Sequence, residues 1–346
     1  MTADWRQSSA PLDLTRTQVL AFRRSVQALD ERLPPGATSV RHAAWAGLQD
    51  SMPRAAILSI HARVEGTTPT ILEDPSLVQV WGPRFSAYAV AARDVAPFTL
   101  GRLPENVGRR RRAEELATRL HAFLDGREMA DGEAGRGLGV HPNLLRYAAP
   151  TGTVLIRWDG ARQSTVRTVP APDVDPHEAR LELARRYLHV FGPMTADSFA
   201  QWAGIQRPEG GAAMDALASE LVPVRTPVGD GWILGKDEPS FRAPAGPPCA
   251  ARLLPSGDTF FLLQGADREL LVPEANRRRL LWTPRVWPGA VLVDGEIVGT
   301  WRRAQALVSI DAWRRLSRRE REAIEAEAAS LPLPGLSGPI VVRWSE

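Results

Sequence analysis

Lysine is almost absent from this chain: of its 43 lysines and arginines, Lys236 is the only lysine. Arginine presents a planar fork of donors matched to phosphate and to the guanine edge, whereas lysine is a point charge. A GC-rich genome that favours arginine codons produces the same bias. Because the formal net charge is only +3, the placement of the arginines must carry any argument for a polyanionic partner. Cysteine is scarcer in its consequences. Cys249 alone excludes an intramolecular disulfide framework and a zinc site built from several thiolates. His42, His61, His121, His141, His177 and His189 lack the spacing of a metal-binding helix, and there is no His-Glu-x-x-His. They read as surface or locally hydrogen-bonded histidines, and neither metal nor cofactor is expected. No apolar run approaches the roughly 20 residues that cross a bilayer. Met1-Thr2-Ala3-Asp4-Trp5 lacks a basic flank with an apolar stretch behind it, so a cytoplasmic protein is expected. Gly-x-Ser-x-Gly is also missing, which leaves serine hydrolase chemistry unsupported.

What remains is an ordinary globular composition, 44% apolar and 24% charged, in 346 residues. That length suggests about two to four compact units. The pattern predicts three short helices followed by a hairpin, three times over, and then a strand-rich region. Residues 12–95 carry helices over 14–29, 39–48 and 53–64 and strands over 77–81 and 85–90, around Gly82-Pro83. Residues 104–171 carry Arg109 to Arg112, a helix over 113–124, a short helix near 142–147 and strands over 153–158 and 164–169, joined across Asp159-Gly160. Between those helices, Gly135-Arg136-Gly137-Leu138-Gly139 follows no strand and reads as a turn-rich linker rather than a phosphate loop. Residues 176–236 carry helices over 178–191, 195–202 with Thr195 as cap, and 209–220, then a hairpin around Gly229-Asp230-Gly231. In residues 248–346 the apolar runs at 253–254, 260–263, 270–272, 291–293, 306–310 and 340–344 are short. Asp294-Gly295 marks a two-residue turn, and a helix is expected over 317–330.

Two segments carry a family resemblance. The first is Gly47-Leu48-Gln49-Asp50-Ser51-Met52-Pro53; the second is the run from Tyr187 to Ile205, Tyr-Leu-x-x-Phe-Gly-Pro-x-Thr-x-Asp-x-x-x-x-Trp-x-Gly-Ile. The first resembles the active-site turn of tandem winged-helix DNA glycosylases, whose motif runs Gly-apolar-Gln-apolar-Gln/Asp-x-Pro. The resemblance extends over about Leu14 to Trp344. It implies an α+β chain of three tandem winged-helix units followed by a C-terminal β-barrel-like domain. It also implies removal of alkylated purines, including crosslinked ones, from double-stranded DNA by a monomer that needs no metal or cofactor. Gln49 and Pro53 match the motif. Ser51 stands where the second carboxamide or carboxylate belongs, and Asp50 stands at an apolar position.

An N7-alkylated purine is cationic and already a good leaving group. The enzyme therefore has mainly to stabilise positive charge on the sugar and position a water at its anomeric carbon. The Gln49 carboxamide suits the second task. Asp50 suits the first if its carboxylate faces DNA, and Ser51, uncharged, is a poorer partner. The competing reading makes Asp50 or Ser51 an N-terminal helix cap ahead of Pro53. For contacts to DNA the candidates are Arg54 with His61 on the third helix, the run Arg109, Arg110, Arg111 and Arg112, and Arg157, Arg162 and Arg167 on the second hairpin; ordinary solvated arginines are the alternative. Trp45, Trp81, Trp202 and Trp301 lie in apolar patterns and read as core. Were the departures at positions 50 and 51 to have ended the chemistry, the scaffold would remain as a DNA-binding lesion sensor or transcriptional regulator.

Overall fold

The computed structural model describes residues 10–52, 54–160, 163–336 and 338–345. The described residues open with β1 (Leu12–Asp13) and α1 (Arg16–Val26), whose start is fixed by a capping box between Thr15 and Gln18. α2 (Ala37–Ala43) ends sooner than the apolar pattern predicts, because Gly47 takes φ 70° and turns the chain into β2 (Leu48–Gln49). α3 (Ala55–His61) follows, then β3 (Leu77–Trp81) and β4 (Ala87–Ala91), the expected hairpin.

After α4 (Val95–Phe98), α5 (Val107–Leu124) begins earlier than expected. Asn106 caps it through the Arg109 amide, which draws all four successive arginines into the helix. The glycine-rich segment read as a linker is helical. After β5 (Met129–Ala130), α6 covers Asp131–Leu138. The glycines there serve packing: a Cβ on Gly137 would lie 2.1 Å from the Phe123 ring, and one on Gly135 would meet the Pro142 backbone at 2.9 Å. A 3-10 segment over Pro142–Thr151 leads to β6 (Val154–Arg157) and β7 (Thr165–Thr168).

Asp175 caps α7 (Pro176–Phe191), and Thr195 caps α8 (Ala196–Ala203) as predicted. α9 (Arg207–Ala216), β8 (Leu221–Thr226), β9 (Gly229–Leu234) and α10 (Glu238–Arg242) complete that stretch. The remainder is β10 (Ala251–Leu254), α11 (Asp267–Leu271), α12 (Ala275–Leu281), β11 (Gly289–Val293), β12 (Glu296–Ala304), β13 (Leu307–Ala312), α13 (Arg318–Ala329) and β14 (Val341–Trp344). The run 270–272, expected as strand-like, falls largely in α11. Asp294-Gly295 does form a two-residue hairpin turn, both residues with positive φ.

Among the described residues the architecture is mixed α+β with three sheets. The hairpins of the first two stretches, expected as separate wings, join into one sheet ordered β2-β4-β3-β6-β7-β5. The join is narrow, with Gln79 on β3 paired to Ile156 on β6. β1 leaves its own stretch to pair in parallel with β8, giving β1-β8-β9. The C-terminal strands form an open sheet, β10-β11-β12-β13-β14, and not the expected closed barrel. β10 and β14 remain its edges; α13 packs against both. Among the described residues no helix is long and apolar enough to cross a membrane.

The largest core cluster runs from Leu20 and Leu29 through Tyr187, Phe191, Phe199 and Trp202 to Phe260 and Leu292, so the stretches share one interior. Trp202 and Trp301 are core as predicted; Trp45 and Trp81 are half-buried against core clusters. α3 is wedged between two clusters: Ala56 and Ile60 pack toward α2 and β4, whereas Leu58 joins the C-terminal sheet. His61, expected to face a duplex, is buried at 7% exposure and contacts Ser330 and Arg32. Burial and neighbouring arginines hold its pKa down at about 3, so it is a neutral core histidine.

Candidate active site

The polar turn between β2 and α3 is divided into a sealed part and an open part. Asp50 is 2% exposed. Its Oδ1 accepts from the Ala56 amide at 3.0 Å, in the first turn of α3, and its Oδ2 accepts from Gln79 Nε2 at 2.8 Å. The expected helix cap is thus realised from six residues upstream. With both oxygens engaged, the carboxylate does not face solvent, as a catalytic carboxylate would have to. Burial pushes its pKa up to about 7; the two hydrogen bonds and Arg54 pull the other way.

Gln79 was not legible as a site residue, being one polar position in an apolar strand. It also donates to the Trp158 carbonyl at 3.1 Å and accepts from the Trp158 amide at 2.6 Å. One side chain therefore ties the turn to the end of β6 at the narrow sheet junction.

Gln49 is half-buried and Ser51 is exposed. Gln49 Nε2 donates to Ser51 Oγ at 3.0 Å, and Gln49 Oε1 accepts from Arg84 at 3.2 Å. Gly257, φ 78°, lies beneath them: a Cβ there would be 3.4 Å from the Gln49 carboxamide carbon. The loop carrying Gly257 is clamped by the next residue. Asp258 takes both Nη atoms of Arg63, at 2.7 and 2.8 Å, and the Ser59 hydroxyl at 2.7 Å. Arg63 adds Gln27 and Thr259, so a closed buried network fixes the C-terminal loop behind the turn.

Arg84 reaches Gln49 from a strained bend. Arg84 and Phe85 both have positive φ, 54° and 57°, a conformation that costs on the order of 1–3 kcal/mol for each non-glycine residue. Gly204, at the end of α8, packs against the bend so closely that a Cβ would lie 2.9 Å from the Arg84 amide nitrogen.

Further cations gather round the turn. Arg54 is half-buried at the start of α3 with φ 70°. Repulsion from Arg54, after burial, lowers the pKa of Arg303 on β12, and Arg84 acts likewise on Arg268, which stacks on Trp282 and Trp287. Carboxamide, hydroxyl and the Arg84 guanidinium are thus joined by hydrogen bonds, with Arg54 at the start of the next helix. The carboxamide oxygen keeps a second lone pair for a water. Pro53 and Arg162 lie outside the described residues.

The four-arginine run is split by helix geometry. Arg110 and Arg111 pair with Glu114 and Glu115 one turn along, at 2.9 and 3.0 Å, whereas Arg109 and Arg112 line a cavity on the opposite side of the Arg84–Phe85 bend. Arg157 and Arg167 are exposed and share one face of the β6–β7 hairpin, by the register that pairs Arg157 with Thr165 and Leu155 with Arg167. Arg84, Arg268 and Arg303 were missed because nothing in their local sequence marks them; the fold alone brings them to the turn. Among the described residues no cluster of three His, Cys, Asp or Glu is placed to hold a metal ion.

The model of the family described as DNA glycosylase AlkZ-like matches residues 40–332. The chain is 24% identical to an interstrand DNA cross-link repair glycosylase of Streptomyces sahachiroi, over 95% of this chain and 96% of that protein. The solved structure of the Streptomyces sahachiroi DNA glycosylase AlkZ superposes with a TM-score of 0.76 at 20% identity, covering 96% of this chain and 100% of that one. With a family model spanning most of its length and placing the polar turn within the match, this chain belongs to the AlkZ-like DNA glycosylase family.

Proposed function

We propose that this chain hydrolyses the N-glycosidic bond of alkylated purines in double-stranded DNA, with Gln49 as the residue that positions the attacking water. The observation that carries the reading is the Gln49 carboxamide, braced by Arg84, Ser51 and the Gly257 loop beside the start of α3, where Arg54 stands. In this reading the water attacks the anomeric carbon and the bond to the purine nitrogen breaks. The electron pair leaves with the base, which departs neutral because alkylation had made it cationic, and the water's proton passes to solvent. Ser51 keeps its own hydroxyl hydrogen for the water or a nearby phosphate. Asp50 is a positioning residue, holding the start of α3 and Gln79 from behind. Arg54, Arg84 and Arg303 meet the phosphates nearest the lesion; Arg109, Arg112, Arg157 and Arg167 extend that contact.

The cross-linked substrate in the name of the Streptomyces relative belongs to the same chemistry, since an interstrand link through two purines is undone by cutting either glycosidic bond. We place three winged-helix units at residues 12–95, 104–171 and 176–236, the first lending its opening strand to the third, and a sheet domain at 248–346. The protein acts as a cytoplasmic monomer without metal or cofactor. Incubation with a duplex containing N7-methylguanine, followed by alkali, reports abasic sites. Wild type is expected to give strand breaks and Gln49→Ala to lose about 100-fold or more in rate, the scale for removing one preorganised polar group at a reacting centre. An intact adduct with wild type, or an unchanged rate in Gln49→Ala, overturns the assignment.

A further inference from the structure

The strained bend has two sides. Arg84 serves the turn, while Phe85 forms the wall of a cavity of about 500 Å³ that neither Gln49 nor Ser51 lines. That volume is within the usual range of small-molecule sites, about 300–1,000 Å³. Phe85 meets Tyr147 edge to face at 4.8 Å, and Tyr147 is 45% exposed. Behind them Arg102 is 3% exposed. Its Nε donates to the Ala203 carbonyl at 2.7 Å and Nη1 to the Trp81 carbonyl at 2.9 Å, but its buried Nη2 has no hydrogen-bond partner among the described residues. Glu209, which also lines the cavity, accepts from the amides of Glu105 and Gln206 instead. At the rim stand Arg109 and Arg112, one helical turn apart.

A flat aromatic surface, a buried donor without an acceptor and two cations at the entrance together describe a planar heterocycle bearing an acceptor and attached to a phosphate. We infer that this cavity receives an extrahelical nucleotide of the bound DNA, distinct from the one presented to Gln49. Its base lies against Tyr147 and accepts from Arg102 Nη2, and its phosphate is held by Arg109 and Arg112. This rests on the proposed DNA binding and adds a second nucleotide subsite to it. An unstacked base left by the lesion or by the separated strand has its cost of exposure offset there, since stacking of a base on an aromatic side chain is worth about 1–3 kcal/mol.

The test compares unmodified duplexes, one fully paired and one with a single unpaired purine, by fluorescence anisotropy with the full chain. Wild type is expected to bind the bulged duplex about fivefold or more tightly. Tyr147→Ala, at an exposed ring, and Leu116→Trp, which fills the cavity, are expected to abolish that preference while leaving affinity for the paired duplex unchanged. Equal affinity of wild type for the two duplexes overturns the subsite, as does a preference that survives in both variants. If purine mononucleotide at millimolar concentration binds and bulged DNA gains nothing, the cavity serves free nucleotides and the proposal fails. Binding to neither duplex instead brings down the DNA-binding reading, and excision by wild type is scored separately.

Discussion

Arg63, behind the polar turn, and Arg102, behind the Arg84–Phe85 bend, are 1% and 3% exposed, yet their surroundings are finished differently. Arg63 is closed off by a carboxylate, a carboxamide, a hydroxyl and a backbone carbonyl. Among the described residues Arg102 has two backbone carbonyls, no acidic hydrogen-bond partner and a buried Nη2 without a partner; its side chain lines the cavity and lies over the Phe85 ring at 4.7 Å, and burial lowers its pKa to about 9. A buried charge is tolerated when its hydrogen bonds and counter-charge are complete, and is costly otherwise. Arg63 is therefore a joint between the two halves of the chain, whereas Arg102 keeps an unfilled bond at a place where a ligand can supply it.

The comparison breaks first at Asp258→Ala. Removing that carboxylate strands Arg63 and frees the loop beneath Gln49, and denaturant unfolding is expected to show a loss of about 3–5 kcal/mol. Loss of less than about 1 kcal/mol would mean that the network is not a joint at all.

Asp50 sharpens the contrast from the acidic side, because it is buried with neutral donors and no bonded cation. Burial pushes its pKa in the folded protein up to about 7, above the ordinary aspartate value of 3.8. Its contribution to stability is therefore fully present below about pH 4 and is lost as pH rises through 7. At about 1.4 kcal/mol per unit, wild type should lose up to about 4 kcal/mol across that window relative to Asp50→Asn. Unfolding curves for the two proteins at pH 4.5 and 8 measure it; parallel pH profiles would refute the burial argument.

Arg102→Met should be milder than Asp258→Ala. It leaves two carbonyls unpaired but no stranded carboxylate, a cost of about 1–3 kcal/mol, and the bulge preference should fall with it. A cost equal to that of Asp258→Ala would erase the distinction between the two arginines.

The smallest effects concern the exposed run. Arg110 and Arg111 already hold Glu114 and Glu115, and such surface pairs are worth about 0.3–0.5 kcal/mol. Replacing both by alanine should change duplex affinity by less than about twofold. Replacing Arg109 and Arg112 should weaken binding and reduce the log–log salt slope by about 2. Anisotropy titrations over a range of salt decide it, and equal effects of the two pairs would deny the helix face its role.

Much of the fold was legible where a local cause suffices. Thr195 caps its helix as its position predicts, and Asp294-Gly295 makes its hairpin. The linker reading of 135–139 failed because glycine was weighed as a breaker. Its absent side chain is instead what lets α6 approach Phe123 and Pro142. The barrel reading failed because strand-like runs do not specify closure, and α13 covers the edges that a barrel would have paired.

By itself the sequence determined the order of helices and hairpins, the polar turn at Gln49 and the preference for arginine, because caps, turns and apolar spacing act over a few residues. Tertiary structure alone decided that Asp50 is sealed while Gln49 and Ser51 remain open. It also recruited Gln79, Arg84, Gly257 and Arg303 from distant segments and divided one run of arginines between ion pairs and a cavity rim. Burial and the meeting of remote chain segments set those outcomes, and neither is written in any local pattern.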